Sequence, residues 1–148
     1  MRRSRFASGF SLIELLLVLA IIGIISAIAI PQFLGQRRRA RVIGDAQSSA
    51  RVLAMLLEAR KADNGIYATP SATTYVWTKA SVATDAGPTL LPQFTPKGSS
   101  QMDFSLTIPV AGSGLTYTLT VTDPTMASAP VLTADQTGAI TLNAVYNK

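Results

Sequence analysis

The chain is 148 residues long, with neither cysteine nor histidine, and its 13 basic residues outnumber 8 acidic ones for a formal net charge of +5. That length allows about one domain. Without cysteine there is no disulfide and no thiolate chemistry, and without histidine the commonest general base and metal ligand is missing. The positive charge is local. Arg2, Arg3 and Arg5 open the chain, Arg37, Arg38, Arg39 and Arg41 form a second group, and the remaining cations are scattered. The plain reading of the second group is a solvated or headgroup-facing helix segment; a nucleic-acid patch needs cations clustered on one exposed face.

In chain order, a basic leader, MRRSRFASG, precedes the apolar run FSLIELLLVLAIIGIISAIAI, from Phe10 to Ile30, whose one charge is Glu14. About twenty apolar residues suffice to cross a bilayer as a helix. A carboxylate inside such a run costs roughly 2.5–3.5 kcal/mol at mid-membrane, which makes Glu14 a functional candidate. Three readings fit this N-terminus. One is a secretory signal cut at a small-residue site such as Ser26-Ala27-Ile28-Ala29, although the run is long for a signal core and contains Glu14. A second is a plain anchor. The third is a leader removed ahead of the run. The two ends of the run are about equally basic, so the positive-inside rule assigns no orientation.

The helical pattern continues beyond the run. Ile43, Ala46, Ala50, Leu53 and Leu57 recur at alternating intervals of three and four and form one stripe, while Asp45, Ser48, Ser49, Arg51 and Glu58 fall mostly off it. Asp63-Asn64-Gly65 is a stop signal, because Asn or Gly takes the left-handed cap conformation. A continuous helix from Phe10 to Asp63 is roughly 80 Å long at 1.5 Å per residue, so its second half must lie outside lipid. Its stripe would pack on the C-terminal domain. Pro31 removes one helical hydrogen bond and predicts a kink. Gly23, Gly35 and Gly44 lower helix propensity by about 1 kcal/mol each, which suits either a loosened stretch between Gly23 and Pro31 or close helix packing.

From Ile66 the composition turns to Thr, Ser, Pro and Gly with β-branched residues. Residues 66–101, with Pro70, Pro88, Pro92 and Pro96, read as a variable loop carrying one short strand at Tyr75–Thr78. Phe104–Val110 and Leu115–Thr122 flank Ala111-Gly112-Ser113-Gly114 as a hairpin, and Tyr117, Leu119 and Val121 alternate with threonines as in a half-buried strand. Val131–Ala134 and Ala139–Val145 flank Asp135-Gln136-Thr137-Gly138 as a second hairpin. A four-stranded antiparallel sheet laid on the helical stripe, an α+β fold, buries both apolar faces.

Little in the head points to chemistry. Asp103, Asp123 and Asp135 are far apart in sequence and no run supplies several oxygen ligands, so no metal and no other cofactor is expected. Paired carboxylates at useful spacing are missing, and the remaining candidate for a nucleophile's base is a lysine, Lys79 or Lys97. Lys79, Lys97 and Lys148 are too few cations for an electrostatic groove, so no nucleic-acid partner is expected. Phe33 is the only aromatic between Phe10 and Tyr67, which gives no aromatic stack along the helix. Packing is its plain role.

The residues Gly9-Phe10-Ser11-Leu12-Ile13-Glu14 resemble the processing motif of type IV prepilins and type II secretion pseudopilins, and Ala29-Ile30-Pro31-Gln32-Phe33 also resembles family sequence. The resemblance is strong over residues 1–65 and weak beyond. It implies that a membrane peptidase and N-methyltransferase cuts between Gly9 and Phe10 on the cytoplasmic side and methylates the new Phe10 amine. It also implies a pilin-like fold with four parts: a leader at 1–9, a transmembrane and filament-core half-helix at 10–31, an amphipathic half-helix at 32–64 and a β head at 65–148. The implied partners are copies of the chain itself in a helical homopolymer, the prepilin peptidase, an inner-membrane assembly platform and the lipid bilayer. The subunit would sit in the inner membrane, N-terminus cytoplasmic and head periplasmic, and then join a surface filament.

Glu14 lies about one helical turn from Phe10, and a buried carboxylate needs a cation or strong hydrogen bonds. The amine of a staggered neighbour is one partner. The chain's own N-terminus and the helix dipole are another, and headgroup snorkelling a third. The expected function is a structural pilin of a type IV pilus. A type II secretion pseudopilin is the alternative, and a membrane-anchored enzyme or a surface binding protein the more distant ones. The lack of a C-terminal acidic cluster leans towards a pilus, whereas Ala62-Asp63-Asn64-Gly65-Ile66-Tyr67 resembles the helix end of many pseudopilins.

Overall fold

The long helical pattern folds as one helix, α1 (Leu12–Asn64), in a computed structural model that describes residues 9–70, 74–78, 86–96, 102–126 and 129–146. The basic leader ahead of Gly9, and Lys79, Lys97 and Lys148, lie outside the described residues. Strand β1 (Thr74–Trp77), a one-turn helix α2 (Gly87–Leu90), β2 (Asp103–Thr107), a 3-10 turn at Val110–Gly112, β3 (Thr118–Thr122), β4 (Pro130–Asp135) and β5 (Ile140–Leu142) follow. The chain divides into two units, one ending at Arg38 and one running from Arg39 to Lys148.

In the second unit α1 buries Val42, Ala46, Ser49, Ala50, Leu53 and Leu57. This is the expected stripe, widened by Val42 and Ser49, with Ile43 at its margin packed against the core. Ala, Leu, Arg, Glu and Lys dominate this stretch, and all are good helix formers. The helix stops as its sequence predicts. Gly65 takes φ +80°, its N–H bonds to the Lys61 carbonyl at 2.8 Å, and Asn64 Nδ2 donates to the Arg60 carbonyl at 3.1 Å.

The five strands form one antiparallel meander in the order β1-β2-β3-β4-β5. Strict alternation sorts its faces. Two apolar rows run across the sheet, Trp77–Phe104–Val121–Leu132–Leu142 and Tyr75–Leu106–Leu119–Ala134–Ile140. Between them, Val76, Ser105, Thr120, Thr133 and Thr141 form a mostly hydroxyl row on the opposite face. The apolar rows and the helix stripe belong to one core. Edge-to-face ring pairs stiffen it: Trp77 to Phe94 at 5.6 Å and Phe94 to Phe104 at 5.3 Å between centroids.

Three expectations need correction. The sheet has five strands, since the short segment near Tyr75 pairs fully with β2. The first hairpin is wider than its Gly-rich centre suggests. β2 ends at Thr107 and β3 begins at Thr118, because Pro109 offers no N–H to the ladder and Ser113 and Gly114 both take positive φ. The last strand ends at Leu142 rather than Val145. There Asn143 closes a turn: its Oδ1 accepts from the Val145 N–H at 3.1 Å and its carbonyl from the Tyr146 N–H at 2.9 Å.

The second hairpin is closed in the same way. Asp135 Oδ1 accepts from the Thr137 N–H at 2.8 Å and from its hydroxyl at 2.5 Å, and these bonds hold its carboxyl below the usual range. The buried Asp123 repeats the motif with Thr125, at 2.8 and 2.7 Å.

Tyr67 ties the helix end to the sheet. Its hydroxyl donates to Glu58 Oε1 at 2.5 Å and accepts from Lys61 Nζ at 3.2 Å, both on α1. Its carbonyl accepts from Arg60 Nε at 2.9 Å, its N–H reaches the Gly114 carbonyl at 2.8 Å, and its ring stands on that of Tyr117 at 4.9 Å. Burial, then the hydrogen bond to Glu58 and that carboxylate's charge, push the Tyr67 phenol up to about 12. Burial is also the main cause for Tyr117, likewise pushed up to about 12.

Two predictions follow from this packing. A Cβ on Gly65 would meet open space, so Gly65→Ala adds only left-handed strain and should cost about 1 kcal/mol. A Cβ on Gly114 would approach the Ala68 carbonyl oxygen to 2.5 Å, so Gly114→Ala should cost more, about 2–4 kcal/mol. Denaturant unfolding of the full chain in detergent, read by the single tryptophan, Trp77, orders the two. The second prediction concerns pH. Both phenols are raised above the ordinary 10.0, so the stability they contribute is complete below about pH 10 and is lost as pH rises towards about 12. Unfolding free energy measured across that window should fall steeply in the unmodified chain and less steeply in Tyr67→Phe.

Candidate membrane and assembly segment

The first unit is the part of α1 up to Arg38 together with the residues before it. Gly9 and Phe10 precede the helix without regular secondary structure, and both are exposed, Phe10 at 80 %. Helical hydrogen bonding starts at Ser11, whose carbonyl accepts from the N–H groups of Glu14 at 3.1 Å and Leu15 at 3.2 Å. Ser11 is therefore the N-cap residue and Glu14 stands at the third helical position. The spacing Ser-x-x-Glu is that of a capping box, in which a glutamate or glutamine reaches back to the cap. A carboxylate in this first turn also faces the positive end of the helix dipole.

Behind Glu14 every large apolar side chain from Leu15 to Leu34 that α1 carries is exposed, on all sides of the helix. By length and composition this is a helix able to cross a membrane. Contiguous apolar surface on a soluble monomer seldom exceeds a few hundred Å². An all-round apolar helix of this length needs lipid or other helices as its solvent. Pro31 lies within α1, which is assigned as helix on both sides of it.

Gly9, Phe10 and Glu14 thus stand together at the start of α1, whereas Pro31 is about 25 Å further along at 1.5 Å per residue. Sequence reasoning passed over Ser11, although the Ser-x-x-Glu spacing was present as a signal. It also passed over Tyr67 and Arg60, whose bonds bridge distant segments and have no local signature. Among the described residues no group of three or more carboxylates gathers that could hold a metal ion. Asp123 and Asp135 each use one carboxylate oxygen to close a turn.

Comparison with known proteins bears on this segment. Nothing among curated proteins or solved structures matches the chain. Residues 4–30 match the family model described as the prokaryotic N-terminal methylation motif. The stretch from the leader through the apolar half of α1 is therefore a prepilin-type motif, of the kind that marks type IV pilins and pseudopilins.

Proposed function

We propose that the chain is a structural pilin. Its leader, residues 1–9, is removed between Gly9 and Phe10, and Phe10 is N-methylated. Residues 10–31 hold the subunit in the inner membrane and later fill the core of a type IV pilus. Residues 32–64 are the amphipathic half of the helix and residues 65–148 the head. The observation that carries this reading is the methylation motif lying directly on an apolar, exposed helix that continues into the core of a small β domain. That arrangement suits a subunit that polymerises through its helix. The N-terminus in the cytoplasm, the head in the periplasm, the peptidase and the assembly platform as partners, and surface display of the filament belong to the same proposal.

Glu14 is assigned to the methylated Phe10 amine of a neighbouring copy. Aliphatic surfaces slide against one another and lipid competes with them equally, so apolar packing alone sets no axial register. A charge pair in a low-dielectric core does. Pro31 is assigned a local loosening of the helix when the subunit leaves the bilayer.

A pseudopilin of type II secretion is the second reading. It is favoured by the helix end at Asp63-Asn64-Gly65 and the Tyr67 that follows, where the family resemblance leans that way.

Deletion of the chain distinguishes the two. Loss of surface filaments by electron microscopy, with secretion of exported enzymes intact, is the expected result; intact filaments with failed secretion would move the assignment to the pseudopilin. For Glu14 the informative change is Glu14→Gln. Glutamine keeps the capping-box pattern and removes the charge. The variant should be cleaved at the normal position by mass spectrometry and yet yield few or no filaments. Normal filament yield would remove Glu14 from the assembly contact.

A further inference from the structure

The sheet of the head ends on two unlike edges. At one, α2 stands against β1: a Cβ on Gly87 would run into the Trp77 ring and approach the Val76 carbonyl oxygen to 2.6 Å. At the other, β5 (Ile140–Leu142) has no such cover among the described residues. It also carries no lysine, no proline and no bulge, the devices that keep an edge strand from pairing.

The register fixes what this edge offers. Thr141 pairs with Thr133, the Asp135 N–H bonds to the Ala139 carbonyl at 3.3 Å, and the Asn143 N–H bonds to the Val131 carbonyl at 3.1 Å. Residues 139, 141 and 143 thus turn their amide groups towards β4, and by alternation Ile140 and Leu142 turn theirs outward. Those outward N–H and C=O groups have no partner among the described residues. The side chains are unfinished as well. Ile140 and Leu142 end the two apolar rows half-buried, whereas Ala134 and Leu132 beside them are buried. Next to Ile140 a groove of about 360 Å³ opens between α1 and the β4–β5 hairpin, lined by Ala50, Ala54 and Ala134 and by the charged Arg51 and Asp135.

We propose that β5 pairs antiparallel with β5 of a second copy of the chain, joining two heads into one continuous sheet. The edge is complementary to itself. About a twofold axis at Thr141, Ile140 of each copy faces Leu142 of the other, and every outward N–H meets an outward C=O. Leu142 of the second copy then lies beside Ile140, over the apolar groove. Thr141 faces Thr141 on the opposite surface of the sheet, so no like charges are opposed. The groove holds one charge of each sign, which also lets two identical surfaces approach. A foreign strand would supply the backbone groups, but the order Ile-Thr-Leu supplies the two inward apolar side chains in register with its own copy.

The axis has a consequence for polarity. It stands normal to the sheet, and the sheet lies on α1, so the paired copy carries its α1 stretch from Arg39 to Asn64 in the opposite direction. Neighbours in a filament assembled head to tail share one direction. The β5 contact therefore joins subunits of two filaments lying antiparallel, where repetition along their length turns a weak pair into a firm one. That consequence rests on the filament reading above; the pairing itself does not.

The test exploits the lack of cysteine and uses the full chain in detergent. Facing Cα atoms in a non-hydrogen-bonded antiparallel pair are about 4.5 Å apart, within disulfide range, so oxidised Thr141→Cys should give at least about fivefold more covalent dimer than Thr118→Cys. Thr118 is exposed on the same sheet surface, in a central strand. Thr141 is exposed too, and unchanged Trp77 fluorescence checks that the head is intact. As a second measurement, Thr141→Lys and Thr141→Glu chains should each lose pairing alone and regain it when mixed, with a carbodiimide link between the two 141 side chains located by mass spectrometry. Equal dimer from Thr141→Cys and Thr118→Cys, or no such link in the mixture, overturns the inference. A mixture of Thr141→Cys and Thr74→Cys that joins mainly 141 to 74 also overturns it and gives the edge to β1 of another copy. None of these outcomes depends on filament formation, so the pilin reading stands or falls separately.

Discussion

A helix face carrying Val42, Leu53 and Leu57, with Ala46 and Ala50 between them, has to be covered in water, since each buried valine or leucine contributes about 1.5–3 kcal/mol. The two apolar rows of the sheet supply that cover, and their composition follows from it. Phe104, Leu106, Leu119, Val121, Leu132 and Ala134 occupy the buried positions, while threonines and a serine occupy most of the alternates. The small alanines on the helix leave room for the large side chains from the sheet and for the aromatic cluster of Trp77, Phe94 and Phe104. The helix face is thus the template on which the rest of the head is built.

The two halves of α1 obey different rules with the same backbone. In the second unit apolar residues keep to one side and polar ones to the other. In the first unit they occupy the whole circumference, and Glu14 is the exception that calls for a role. A carboxylate is tolerated at the helix start because the first turn has unsatisfied N–H groups and a positive dipole end. Six residues later, near Ala20 in the middle of the apolar run, the same side chain would have neither. The place of Glu14 in the first turn is therefore part of what makes it usable.

Much of this was legible in the residues. Asp63-Asn64-Gly65 marked the helix end because only a few residue types take the left-handed conformation, and the intervals from Ile43 to Leu57 marked the buried face because helical geometry leaves few alternatives. β1 was harder to read as a full member of the sheet. It is four residues long, and 25 residues rich in proline separate it from the strand it pairs with, so no local pattern announces the pairing. The bounds of β2 and β3 were misjudged because Gly-rich Ala111–Gly114 outweighed Pro109, which ends the ladder earlier. At the candidate site, Gly9, Phe10 and Glu14 were picked out by their resemblance to a prepilin processing motif. A partner for Glu14 was not legible, because one copy's periodicity does not choose between a neighbour's amine and the chain's own N-terminus.

The turns near the C-terminus have a further consequence. Asp123, Asp135 and Asn143 each close a loop through a side-chain oxygen that accepts from the backbone two residues on. These are closures made by oxygen lone pairs, formed at the speed of local chain motion, and the chain has no cysteine to add a covalent one. The head therefore reaches its native connectivity without an oxidising compartment, a disulfide-forming catalyst or an isomerase that reshuffles bridges. Reductants therefore leave its connectivity intact, since there is no thiol chemistry in the head to reverse.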